Sequence, residues 1–153
     1  MKPIRIYLGG MIRPAAIIDG QPRGIFEPDL IWRRDLKELA ETEEGSWFIP
    51  IDPIDGFPDI WGYDDIEIVR ICLAKLRSCH VMIANLSVCG SDMNRSIGTI
   101  IESWEAAQHD GIPVVTIADD PYFYNNCWVR FASTQILHTP NEALTYIQGS
   151  LLW

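Results

Sequence analysis

The chain has no CxxC pair, no HExxH and no apolar run near the roughly 18 residues that cross a bilayer. Its four cysteines (Cys72, Cys79, Cys89, Cys127) and three histidines (His80, His109, His138) stand apart. No metal site is therefore expected, and the thiols fit a reducing compartment. Basic residues are scarce: 12 Lys and Arg against 21 Asp and Glu leave a net charge of −9. A nucleic acid would be repelled by most of such a surface, whereas a small anion would need local donors. Met1-Lys2-Pro3-Ile4-Arg5 leads straight into a strand pattern without the longer apolar core of a secretory leader. The expected protein is cytoplasmic, with no membrane and no nucleic-acid partner. Repeats, low-complexity tracts and interdomain linkers are also missing. What remains is 153 residues that are 48% hydrophobic, enough for one domain over 1–153 with a real core.

Regular structure is legible along most of that length. Ile4 to Leu8 alternates and is rich in β-formers, so it reads as a first strand ended by Gly9-Gly10. From Gly10 to Pro28 there is no periodicity, and a loop of that length reads as a lid or pocket wall. A helix is expected from Pro28 to about Glu44, a strand over 47–51 and a second long loop over 52–62. In that loop Phe57 and Trp61 either cover an apolar ligand face or tuck the loop onto the core. Asp64 to Ser78 is helical, with an apolar stripe of Ile66, Val69, Leu73 and Leu76. The central unit follows: strand 80–86, a loop, a helix opening at Ser96, and strand 112–117 after Gly111. Ile97, Ile100, Ile101, Trp104 and Ala107 give that helix one apolar face. An aromatic loop (121–126), a short helix near 128–132, a strand over 134–137 and a terminal helix over 140–147 complete the chain. Strands alternating with helices predict an α/β fold: a doubly wound, mainly parallel five-stranded sheet in a Rossmann- or flavodoxin-like three-layer sandwich, its first-guess strand order that of flavodoxin. In such sheets ligands bind beyond the carboxyl ends of the strands, where Ser87 to Ser96 would lie.

Two residues of the central helix carry chemistry on that reading. Ser96 is placed as its N-cap, which is already a sufficient structural role. The same geometry also suits an anion, because small residues at Ser96, Gly98 and Thr99 would let a phosphate approach free N–H groups. Glu102 is expected in the second turn and away from the apolar stripe. It reads either as a solvated surface carboxylate or as a nucleophile held ionised by the helix amino end. Glu105, one turn on, reads as a helper or as plain surface.

Three separated motifs then resemble the nucleoside 2-deoxyribosyltransferase-like superfamily, closest to its nucleoside 5′-monophosphate N-glycosidase branch. They are Tyr7-Leu8-Gly9-Gly10-Met11-Ile12-Arg13, Ser96-Ile97-Gly98-Thr99-Ile100-Ile101-Glu102, and Ala106-Ala107 running to Gly111-Ile112-Pro113-Val114-Val115. The resemblance implies that Glu102 is the nucleophile on C1′ of a (deoxy)ribose, with Tyr7 beside it as the second catalytic residue. It implies that Gly9, Gly10, Ile12 and Arg13 line the loop facing the nucleotide, and that Ser96 contacts the 5′ end. Serine there, in place of the Asp found in transferases of free nucleosides, favours a monophosphate. Asn126 falls where the family reaches into a neighbouring subunit, which implies a homodimer or higher oligomer. The implied reaction breaks an N-glycosidic bond by hydrolysis or by transfer to another base, and it needs no metal or cofactor.

The chain also departs from that pattern. Cys72 stands where the family usually has an Asp that serves the leaving base or sugar, His80 replaces the Asp that opens the central strand, and Met11 replaces a loop serine. Asp64, Asp65, Glu67 and Asp92 are the candidates to supply the missing acid. Two alternatives therefore stand beside the glycosidase: a nucleotide-binding module of the same fold without turnover, and a 2-deoxyribosyltransferase of free nucleosides. A TIR-like or cytokinin-activating-like relative is a weaker third, since Gly98-Thr99-Ile100-Ile101-Glu102 has a GTxxE tail without the glycines before it.

Overall fold

The structure is a computed structural model that describes residues 2–87 and 93–152, with the backbone alone described at 93–95. Cys89, Gly90 and Asp92 therefore lie outside the described residues. Five parallel strands form one sheet: β1 (Ile4–Gly10), β4 (Phe48–Ile51), β5 (Val81–Asn85), β6 (Val114–Ile117) and β7 (Gln135–Leu137), in the order β4-β1-β5-β6-β7. Counted along the chain, that order is 2-1-3-4-5, the flavodoxin arrangement expected of the sequence. Helices α1 (Glu27–Ala40), α2 (Asp65–Arg77), α3 (Met93–Trp104) and α6 (Pro140–Tyr146) flank the sheet, with short α4 (Pro121–Tyr124) and α5 (Cys127–Ala132) beyond β6.

The two-residue period of β1 decides what each layer contains. Ile6 and Leu8 point into one core with Trp32 and Leu36 of α1 and Ala143 and Leu144 of α6. Tyr7, between them, points to the other side and packs with Leu76 of α2, Met82 of β5 and Ala106 just past α3. A third cluster, Met11, Leu86, Ala118, Phe123 and Val129, closes the carboxyl end of the sheet. Each wholly buried aliphatic side chain here contributes about 1.5–3 kcal/mol of burial free energy.

The expected loop over 10–28 contains a hairpin, β2 (Ala16–Ile18) against antiparallel β3 (Gln21–Arg23). Asp19 and Gly20 turn it with φ of 51° and 74°, the positive pair that a tight hairpin needs. Trp61 donates its indole N–H to the Gly24 carbonyl at 2.6 Å, and Phe57 packs edge-on against Tyr63. Both aromatics of the second loop thus anchor loops to their surroundings. The expected aromatic loop over 121–126 is largely helical, as α4. The apolar stripe assigned to α2 is also only half correct: Leu76 is buried, but Ile66 and Val69 are mostly exposed.

A buried ionic network fixes the exit of β1. Arg33, almost wholly enclosed, donates from its guanidinium to the carbonyls of Leu8 (3.3 Å), Gly10 (3.1 Å) and Asp29 (2.6 Å), and its Nε lies 3.3 Å from Asp52. Lys37 reaches the same Asp52 at 2.7 Å. Pairing of this kind is what allows charges to remain in an interior.

Candidate active site

A cavity of about 340 Å³ opens beyond the carboxyl end of β1 and has three walls. Gly10, Met11 and Ile12 form the first as the chain leaves β1; Ile68, Val69, Cys72 and Leu73 form the second on α2. Gly98, Thr99, Ile101 and Glu102 form the third on α3. The cavity lies where β1 and β5 are neighbours, the place at which strand order reverses in this topology.

Its chemistry centres on Glu102. The Tyr7 hydroxyl, brought through the sheet by the alternation of β1, donates to Glu102 Oε2 at 2.5 Å. Burial pushes the Glu102 carboxyl above its ordinary range, while the Tyr7 hydrogen bond and the charge of Arg33 oppose that rise. Burial and the adjoining carboxylate keep the Tyr7 phenol protonated well above its usual range. The Cys72 thiol shares this environment, and burial together with the Glu102 charge pushes it up to about 11, so it stays a neutral S–H at physiological pH.

Several expectations of the sequence need correction here. Helix α3 begins at Met93, so Ser96 is not its N-cap, and the backbone N–H groups of Gly98 and Thr99 lie inside the helix. Glu102 is in the third turn rather than the second, too far along to be held ionised by the amino end. It is half-buried instead of surface-solvated, and its carboxylate is governed by burial, Tyr7 and Arg33. The face of α3 turned to the protein is only in part the apolar stripe: Ile100 and Ala107 pack against core clusters. Ser96, Thr99 and Ser103 are buried, with the Ser103 hydroxyl satisfied by the Thr99 carbonyl at 2.8 Å. Ile97 and Ile101 instead stand more than half exposed.

The remaining expected site residues divide. Gly10, Ile12, Gly98 and Glu102 line the cavity, and Tyr7 touches it through Glu102. Gly9 is buried behind the wall, where an added Cβ would come within 2.4 Å of the Met82 methyl. Arg13 is not among the lining residues. Its guanidinium grips buried Asp29 in a fork, Nη2 to Oδ1 at 2.7 Å and Nε to Oδ2 at 3.0 Å, and stacks on Phe26. Asn126 caps α5, its side-chain oxygen accepting from the N–H groups of Trp128 (2.9 Å) and Val129 (3.3 Å). Glu105 pairs with His109 at 3.2 Å. Of the candidate substitute acids, Asp64 caps α2, Asp65 and Glu67 are not among the lining residues, and Asp92 lies outside the described residues.

Sequence reasoning passed over Ile68, Val69, Leu73 and Ile101 as lining residues. They carry the same helical periodicity as a core stripe, so a cavity wall and a core face look alike in one dimension. Among the described residues, no group of three or more His, Cys, Asp or Glu is placed to hold a metal, and no helix is long and apolar enough to cross a membrane.

No family model matches this sequence, and no curated protein matches it. Among solved structures the fold is similar to a 2-deoxyribosyltransferase from Leishmania mexicana, with a TM-score of 0.63 and 18% identity over 98% of this chain and 100% of that one. It is also similar to a conserved protein from Enterococcus faecalis V583, with a TM-score of 0.61 and 14% identity over 95% of this chain and 98% of that one. At these identities the likeness establishes the α/β fold across the whole chain.

Proposed function

We propose that the protein cleaves the N-glycosidic bond of a (deoxy)nucleoside 5′-monophosphate, with Glu102 as the nucleophile. The observation that carries this reading is the Tyr7–Glu102 hydrogen bond of 2.5 Å at the floor of a cavity beyond the strand ends. A carboxylate that attacks carbon must be held in one rotamer, and the Tyr7 hydrogen bond supports that for Glu102. The fold shared with a 2-deoxyribosyltransferase supports the same chemistry.

In this scheme Glu102 forms a bond to C1′ as the bond from C1′ to the base nitrogen breaks, through an oxocarbenium-like transition state. The bonding pair leaves with the base, which takes a proton from solvent water; the attacking water of the second step returns a proton to solvent. Water, or a second base in a transfer reaction, then attacks C1′ from the opposite face and restores the Glu102 carboxylate. Two inversions give overall retention. Tyr7 is wholly buried, and it acts through Glu102 as a positioning residue. No step requires a metal or an organic cofactor.

The reading is tested with Glu102→Gln and a panel of nucleoside monophosphates, following free base by chromatography. Wild-type protein is expected to release base and the variant to lose on the order of a thousandfold or more in rate. Full activity in the variant removes Glu102 from the mechanism.

A second reading, transfer between free nucleosides, is favoured by one observation. Arg13 is committed to Asp29 and Ser96 is buried, which leaves neither aimed at a 5′-phosphate. Comparing monophosphates with free nucleosides in the same panel decides between the two. Binding without release of base from any substrate would favour the non-catalytic module, for which Cys72 in place of an acid is the support.

We also propose that the protein works as a homodimer in the cytoplasm. Ile97 and Ile101 of α3 and Trp128 and Phe131 of α5 are 55–63% exposed, and Ile97, Ile101 and Trp128 line one apolar groove of about 260 Å³. Side chains of this size offer on the order of 500 Å² of apolar surface, a fitting centre for an interface covering about 800 Å² per partner. Ile101 borders both this groove and the active-site cavity, and Asn126 begins the helix that presents Trp128. A second copy seated here would lie at the rim of the site.

A further inference from the structure

The charges behind the cavity do not balance within their own cluster. Arg33, Asp29 and Asp52 are all buried, yet each carboxylate has a cation nearer than Arg33. Asp29 is held by the Arg13 fork and gives Arg33 only its main-chain carbonyl, at 2.6 Å. Asp52 has Lys37 at 2.7 Å on Oδ2, whereas the Arg33 Nε lies 3.3 Å from Oδ1. That Oδ1 accepts the Ile54 N–H at 3.1 Å, and the Arg33 Nε makes no hydrogen bond. Among the described residues, the guanidinium therefore donates to neutral carbonyls, those of Leu8, Gly10 and Asp29. Arg13, Arg33 and Lys37 thus face two buried carboxylates. Asp55, which also meets Lys37 at 2.8 Å, is 62% exposed, and water screens its charge.

The uncompensated charge lies directly behind the cavity wall. Arg33 Nη2 donates to the Gly10 carbonyl at 3.1 Å, and a Cβ added to Gly10 would stand 3.3 Å from the same nitrogen. Gly10 in turn lines the cavity together with Glu102. The two-residue period of β1 aims position 10 at α1 and Tyr7 at Glu102, so cation and carboxylate flank one strand. Three titratable groups from packed elements act on Glu102: Tyr7 of β1, Cys72 of α2 and Arg33 of α1. Lys75 of α2 is turned away, to the carbonyls of Asp52 (3.3 Å) and Pro53 (2.9 Å), and Glu105, past α3, pairs with His109. Tyr7 and Cys72 are both neutral at physiological pH. Among the described residues, Arg33 is thus the full charge that opposes protonation of Glu102, and the Glu102 charge in return favours the guanidinium against burial. Interior charges are screened far less than surface ones, so the pair can act on each other across the strand.

We propose that Arg33 is a positioning residue of the site, and that its buried charge, bound by carbonyls and only shared with Asp52, holds Glu102 as an anion from behind the cavity wall. This role rests on the glycosidase reading above, because a carboxylate that bonds to C1′ reacts in its ionised form. Asp52 acquires a second task from it. By dividing its charge between Lys37 and Arg33, Asp52 sets how much of the Arg33 field reaches Glu102. The two residues must then act on Glu102 with opposite sign. Without the Arg33 charge the carboxyl is easier to protonate, and without the Asp52 charge it is harder. Loosened packing has no such sign, because either change breaks the same network.

The experiment follows Glu102 with and without turnover. The first readout is the acidic limb of kcat/KM for release of base. The second is titration of the Glu102 carboxyl carbon by NMR, its signal assigned by its loss in Glu102→Gln. Arg33→Gln is expected to move both to higher pH, by on the order of one unit. Arg33→Lys keeps the charge and loses the bonds to Leu8 and Gly10, so it should melt lower than wild type yet titrate within about 0.3 unit of it. Asp52→Asn retains an oxygen for the Ile54 N–H and is expected to move both readouts to lower pH. Should Arg33→Gln fail to fold by circular dichroism, Arg33→Lys and Asp52→Asn carry the test. An unmoved titration in Asp52→Asn, shifts of one sign in Arg33→Gln and Asp52→Asn, or a shift in Arg33→Lys as large as in Arg33→Gln overturns the role of Arg33. Release of base by the wild type in that case leaves the glycosidase reading intact. Opposite shifts in a protein that releases no base from any substrate keep the role of Arg33 and overturn the glycosidase reading.

Discussion

At the scale of single residues, the role proposed for Glu102 and its effect on stability pull in opposite directions. Burial raises its pKa in the folded chain, so the folded state holds that proton to higher pH than the unfolded state does. Between the unfolded and folded values the native state binds more protons, and stability falls as pH rises through that window. Glu102→Gln keeps an acceptor for the Tyr7 hydroxyl and removes the buried charge. We expect it to melt at a higher temperature than wild type at pH 7 and to lose that portion of the pH dependence, while abolishing turnover. Thermal scans from pH 4 to pH 8 check this, and a variant that melts lower at neutral pH would contradict it. Tyr7→Phe makes the complementary case. The Tyr7 hydrogen bond favours the carboxylate, so its loss should raise the Glu102 pKa further. The acidic limb of the rate profile is expected to move to higher pH, with kcat lower by about ten- to a hundredfold at neutral pH. An unchanged limb with reduced kcat would mean that Tyr7 has only a packing role.

At the scale of elements, helix α3 departs from helical preferences where it lines the cavity. Its protein-facing side carries Ser96, Thr99 and Ser103, small groups that bring the helix close to the sheet. Gly98 sits in its interior, on the cavity wall, with open space where a Cβ would stand. A glycine there costs the helix about 0.5–1 kcal/mol relative to alanine, which core packing does not require. Gly98→Ala should therefore stabilise the protein by about that amount in a urea titration while placing a methyl group in the cavity. We expect KM to rise several-fold with kcat less affected; a stabilised variant with unchanged KM would show that the substrate does not pass Gly98. The exit of β1 shows the opposite economy. Arg33 donates to the carbonyls of Leu8 and Gly10 and so holds the strand end that carries Met11 and Ile12 into the cavity wall.

At the scale of the whole molecule, the exposed apolar face of α3 and α5 predicts association. Sedimentation of the wild-type protein at micromolar concentration should give a dimer, and Trp128→Glu should give a folded monomer. Trp128 is 60% exposed, so the change does not open the core. A wild-type protein that stays monomeric throughout would overturn the assignment of this face. If the second copy does border the cavity, dissociation should also lower turnover, because Ile101 belongs to both surfaces.

The sequence by itself determined the order of the five sheet strands and their flanking helices, and the parallel sheet. Those follow from local patterns: apolar runs of strand length, helix periodicity, and stops such as Gly111. It did not place the hairpin at 16–23, although Asp19-Gly20 is a usual turn signal for one. Only the tertiary structure decided which apolar stripes were core and which were surface, since periodicity shows that a face exists but not what covers it. It turned Ile66, Val69, Ile97 and Ile101 outward, buried Ser96 and committed Arg13 to Asp29. It also brought Tyr7 to Glu102 across 95 positions of chain. That meeting depends on the side to which β1 turns its middle residue and on the seating of α3 against the sheet, and neither is encoded within either segment alone.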